Sequence, residues 1–96
     1  MNHYGVRAQD HWRTHLPRQL ASIPDQEAFF TLLGETAESE IEQRAEALAQ
    51  LKPPAGGYLE EMARLQTARQ LAEMEVMREM ILVDPEDQEA VSQLLG

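Results

Sequence analysis

The stretch YLEEMARLQTARQLAEMEVMREMILV, Tyr58 to Val83, decides the fold. It contains no Gly or Pro, and its apolar side chains recur at helical spacing. Met62, Leu65, Ala68, Ala72, Val76, Met80 and Val83 form one stripe, and Leu71, Met74, Met77 and Ile81 form a second beside it. One helix cannot turn so wide an apolar surface to water, so the spacing predicts that helices of this chain or of a partner cover it.

Working outward, the segment before it supplies a companion. Phe30, Leu33, Ala37, Ile41, Ala45, Leu48 and Leu51 follow steps of three and four, which predicts a long helix over 24–51, with Gly34 inside it either tolerated or marking a close helix approach. Ser22 stands as its N-cap, followed by Pro24 and the acids Asp25 and Glu27 in the first turn. Between the two long segments, Lys52-Pro53-Pro54-Ala55-Gly56-Gly57 is the strongest breaker in the chain. A connection this short predicts an antiparallel hairpin of helices 24–51 and 58–83. Tyr4, Ala8, Trp12 and Leu16 mark a short amphipathic helix over 4–16, where Pro17 either ends it or starts a further turn through Leu20. Asp84-Pro85-Glu86-Asp87 repeats the cap, proline and acid pattern and opens a last helix over 85–95. The expectation is a single all-α domain with both short helices packed on the hairpin.

Ninety-six residues allow one core, hiding roughly 60 to 65% of the unfolded chain's surface. The margin is thin, and a hairpin of this size can complete its core as a homo-oligomer. The absence of Cys excludes disulfides and thiolate metal sites. No apolar run reaches the length of a membrane span, and residues 1–20 lack a signal peptide's apolar core, so a cytoplasmic protein is expected. A net charge of -9 disfavours binding to nucleic acid, whose phosphates would be repelled. That charge is unevenly spread: Met1 to Leu20 carries Arg7, Arg13 and Arg18 against Asp10 alone, and the rest of the chain is acidic.

Four constellations carry chemistry worth weighing. His11 and His15, four apart, could face one metal ion, but zinc needs further ligands and none stands at matching spacing. No metal and no cofactor is expected, and the two rings read as surface or interface histidines. Trp12 with Arg7, Arg13 and Arg18 forms an aromatic and cationic patch of the kind that stacks on nucleic acid, with Tyr4 a further partner-binding candidate, although packing of Trp12 on the hairpin accounts for the patch more simply. Glu35, Glu38 and Glu42 belong to a carboxylate row on the second helix, a solvated face or an imitation of duplex phosphates. Arg64 and Arg69 lie on the third helix, with Arg69 expected to pair with a carboxylate such as Glu73 at i+4 or one on the facing helix, and Arg44 with Glu40 or Glu46. Catalysis finds no support. The three Ser residues sit at caps or on helix faces, and Gly56-Gly57 lacks the Lys and Ser or Thr of a phosphate-binding loop.

The order of these features resembles TnpV-type proteins of bacterial mobile elements. The residues that carry the resemblance are Tyr4-Gly5, His15, Arg64, Arg69, Ala72-Glu73, Val76 and Glu79, over most of the chain to about Leu82. The resemblance implies a small accessory protein of a transposon or related element, without catalytic activity. This chain departs from the pattern in its first helix, where Val6, Ala8, Gln9, Asp10 and His11 stand in place of a more basic run. The function expected is protein–protein binding by a non-enzyme; the alternatives are an acidic, nucleic-acid-mimicking inhibitor of a nuclease or recombinase, and a DNA-binding factor using Trp12 and its arginines.

Overall fold

The computed structural model describes residues 1–54 and 56–96, and every regular element among the described residues is helical. The order is α1 (His3–His15), α2 (Pro17–Ala21), α3 (Gln26–Gln50), α4 (Tyr58–Val76), a π-helical turn (Met77–Ile81) and α5 (Gln88–Leu95). Of the expected breaker 52–57, Ala55 lies outside the described residues.

Local chemistry sets the ends of these helices. Asn2 caps α1, its Oδ1 accepting from the Gly5 N–H at 3.0 Å. Pro17 cannot continue α1, and as the first residue of α2 it starts a fresh turn instead. The expected cap of the long helix is corrected: Ser22 closes α2, donating to the Gln19 carbonyl, whereas Asp25 accepts from the Ala28 N–H at 3.0 Å and starts α3. The residue before a proline is pushed out of helical geometry, so the helix begins after Pro24. The last helix shifts for the same reason. Asp84 takes the Glu86 N–H in a turn, and Asp87 caps Ala90.

The expected unbroken helix 58–83 is also corrected. Helix α4 ends at Val76 and widens into the π turn, where the Leu82 N–H reaches the Met77 carbonyl. A regular helix would spread Val76, Met77, Ile81 and Val83 over half its circumference. The wide turn and the non-helical Leu82 bring all four into one core.

That core lies between α1, the first half of α3 and the second half of α4 with its π turn. Trp12, Leu16, Phe30, Ile41, Val76, Ile81 and Val83 are wholly buried, and Val91 of α5 joins them. Trp12 meets Phe29 and Phe30 edge-on, with ring centroids 5.6 and 5.7 Å away. Helix α1 touches α3 where two glycines meet. A Cβ on Gly5 would strike the Phe30 carbonyl, and one on Gly34 would lie 2.8 Å from the Gly5 nitrogen. The close approach read from Gly34 is therefore real.

Coverage stops partway along the two long helices, which pack together. Along α3 full burial ends at Ile41, and along α4 it begins at Ala68. The remainder forms a two-helix arm in a molecule 52 Å long and 25 Å wide. Leu51, Tyr58, Leu59, Met62 and Leu65 on this arm, and Leu71 and Met74 beyond it, are exposed, so the chain itself covers the first stripe only beneath α1 and leaves Leu71 and Met74 of the second uncovered even there.

Candidate docking surface

Helix α1 lies along the seam between α3 and α4. Its direction follows from two contacts: His11 Nε2 donates to the Val83 carbonyl at 2.7 Å, and the Tyr4 hydroxyl donates to Glu73 at 3.0 Å. The start of α1 therefore points toward the arm. There Asn2 donates from Nδ2 to Glu38, fixing the end of α1 against α3.

Past Asn2 the seam continues without a third helix. On α4 the α1-facing row runs Val76, Ala72, Leu65, Met62, Tyr58, and its exposure rises in that order from 0% at Val76 and Ala72 to 44%, 50% and 77%. On α3 the matching floor is Ala45 and Ala49. An open groove of about 740 Å³ lies here, lined on α4 by Arg64, Leu65 and Arg69, on α3 by Glu42, Ala45, Glu46 and Ala49, and at the far end by Lys52, Pro53 and Pro54.

On another side of the helix pair an ionic cluster joins α3 to α4. Arg44 contacts Glu40 at 3.1 Å on its own helix, Glu75 at 3.4 Å on α4 and Glu79 at 2.6 Å in the π turn. The carboxylates hold its guanidinium pKa above the ordinary arginine value, with Glu79 the largest cause. Nearer the connection Arg64, which lines the groove, bonds Glu61 and the Ala49 carbonyl. A third surface, on the outer side of α4, carries Met74 and Leu82 beside Arg7 and Arg78.

These placements sort the residues singled out in the sequence. Tyr4 and Trp12 are buried and cannot touch a partner, so both leave the list of docking residues. Arg13 is held by Asp10 at 2.7 Å. Arg7, Glu35, Glu38 and Glu42 are exposed. Glu73 is bound by Tyr4 rather than by Arg69, because the buried phenol needs an acceptor while Arg69 stays at the surface. Burial, then the bond to Glu73, raises the Tyr4 pKa. Arg44 pairs with Glu40, as expected, and not with Glu46. The rings of His11 and His15 lie 4.7 Å apart, tilted by 43°, and among the described residues no three His, Asp or Glu side chains are placed to share a metal ion. Among the described residues no helix is long and apolar enough to cross a membrane.

Sequence reasoning missed the double role of Asn2 and the reach of Arg44 across to Glu75 and Glu79. An Asn ahead of an apolar run is a cap signal, so the first was available in the sequence. The second needs the register of two helices and has no local signature. Compared with known proteins, the chain matches no family model, no curated protein and no solved structure.

Proposed function

We propose that this chain is a non-catalytic docking protein, an accessory of a mobile element that acts by binding another protein through α4. The single observation that carries the reading is the number of large apolar side chains left exposed on one helix: Tyr58, Met62 and Leu65 on the face that continues the α1 seam, and Leu59, Leu71 and Met74 on its other faces. Exposed apolar surface of this kind marks interaction sites on small proteins. Its scaffold is an antiparallel hairpin of α3 and α4. Contacts between Arg64 and Ala49 near the connection, and between Arg44 and Glu79 farther from it, support that direction. The mobile-element setting rests on the Tyr4-Gly5 to Glu79 resemblance, and gene neighbourhood tests it.

The docking reading is tested by placing a photo-crosslinking amino acid at Met62 and, separately, at Met74 and irradiating living cells. A discrete adduct from either position is the expected result; no adduct from both would end the reading. A second reading is inhibition by phosphate mimicry, which the exposure of Glu35, Glu38 and Glu42 favours. Changing the three to Lys would abolish inhibition of a nuclease or recombinase without changing helix content.

A further inference from the structure

The uncovered seam of the arm has the spacing of a helix-bundle interface. On α4, Tyr58, Met62, Leu65, Arg69, Ala72 and Val76 follow alternating steps of four and three. On α3, Glu42, Ala45 and Ala49 do the same, with Lys52 next in step just past the helix end. That is the heptad rhythm by which helices of a bundle seat one another. Helix α1 fills the seat beside Ala72 and Val76 and stops at Asn2, so the free part runs from Glu42 and Arg69 to Pro53 and Pro54.

Charge identifies the occupant. Residues 42–69 hold four acidic and four basic side chains, so the arm is neutral in a chain of net charge -9, and two arms approach without like-charge repulsion between them. Within the groove both signs are present, with Glu42 at the root and Lys52 at the tip. Arg64 is engaged by Glu61, and Glu46 accepts from Gln50 at 3.5 Å, whereas Glu42, Lys52 and Arg69 form no ion pair among the described residues. A row with an acid at one end and a base at the other is the complement of its own reversal. A reversed copy of the arm therefore brings Lys52 to Glu42 at both ends, Ala45 to Ala49 between them, and on the α4 row Arg69 to the ring of Tyr58. It also has the length of the free seam and ends where α1 begins.

We infer that the arm binds a second copy of this chain: two arms pack face to face and antiparallel about a two-fold axis, forming a four-helix bundle in which Met62 of each copy meets Leu65 of the other. The contact spans about 17 Å of two helices, small for a specific interface, so the dimer dissociates at low micromolar concentration. The inference goes beyond the docking reading, since it gives the arm to a second copy and leaves Leu71 and Met74 for another protein.

The test is sedimentation equilibrium of the full chain from micromolar to millimolar concentration, over which the mass rises from 10.9 kDa toward twice that value. Leu65→Glu holds the chain at the monomer mass and Met74→Glu does not, with helix content checked by circular dichroism. Glu42→Lys and Lys52→Glu, taken singly, each weaken association by about tenfold. Mixing the two variants restores it, because both end contacts of the mixed pair then join opposite charges. A monomer at every concentration overturns the inference. So does a dimer that survives Leu65→Glu or is lost equally with Met74→Glu, or a mixture no tighter than the separate variants. Crosslinking separates this failure from failure of the docking reading. Met62 is expected to yield an adduct of two copies; an adduct there with a different protein alone gives the groove to that protein and overturns the inference while docking stands.

Discussion

The two halves of the α3–α4 pair differ in what covers them, although their sequences have the same period. Under α1, Phe30, Ala37, Ile41, Ala72 and Val76 are sealed; on the arm, Leu51, Tyr58 and Met62 stand in water. Periodicity is thus a property of each helix, whereas burial depends on how far a third helix reaches. The covered half supplies stability and the uncovered half supplies surface.

Substitutions should separate the halves, and the widest gap is expected for large core side chains. Trp12→Ala removes the anchor of the aromatic cluster and is expected to cost about 3 to 5 kcal/mol, while Met62→Gln on the arm stays within about 0.5 kcal/mol. Urea denaturation compares them, and similar losses would erase the distinction. Next in size, Gly5→Ala drives a methyl group into the Phe30 backbone, which cannot yield as a side chain can. A loss of about 1 to 3 kcal/mol is expected, with Gly56→Ala, which meets nothing within 4 Å, as the neutral comparison.

A smaller effect is expected at the boundary between the halves. Tyr4→Phe strands Glu73 and should cost about 1 kcal/mol at neutral pH. Burial raises the Tyr4 pKa above 10.0, so its contribution is complete below pH 10 and is lost as pH rises through the higher folded value. Stability measured against alkaline pH should therefore fall in the native protein and fall less in Tyr4→Phe; parallel curves would assign the loss to other groups. The smallest difference is dynamic. Amides of the arm, with fewer buried neighbours, should exchange faster than those of α3 between Phe30 and Ile41.

Much of the fold was legible. Both long helices, the breaker and the two short helices follow from spacing, Pro and Gly, and the close approach at Gly34 was readable because glycine inside a helix weakens it unless a neighbour needs the space. What escaped depended on competition between equivalent residues. Ser22 and Asp25 both suit a cap, as do Asp84 and Asp87, and the geometry imposed by Pro24 and Pro85 favours the later acid of each pair. The π turn was illegible because nothing in Met77 to Ile81 breaks a helix; four side chains competing for one core widen it.

The candidate surface was half legible. The exposed acids of α3 were evident as a row, yet their position along the rim of a seat depends on where α1 stops. Tyr4 and Trp12 were drawn toward a binding role by their chemistry, whereas the depth of the seam assigns both to packing. The Tyr4-Gly5 pair illustrates this: Gly5 permits contact with α3 while Tyr4 reaches α4, so two adjacent residues tie three helices together.

The indole nitrogen of Trp12 is buried and has no hydrogen-bond partner among the described residues. Since this is the chain's single tryptophan, its emission is a private optical record of whether α1 is seated. With phenyl rings around it and no polar acceptor at the nitrogen, native fluorescence should lie far to the blue, and lifting α1 away should redden it even where the long helices persist.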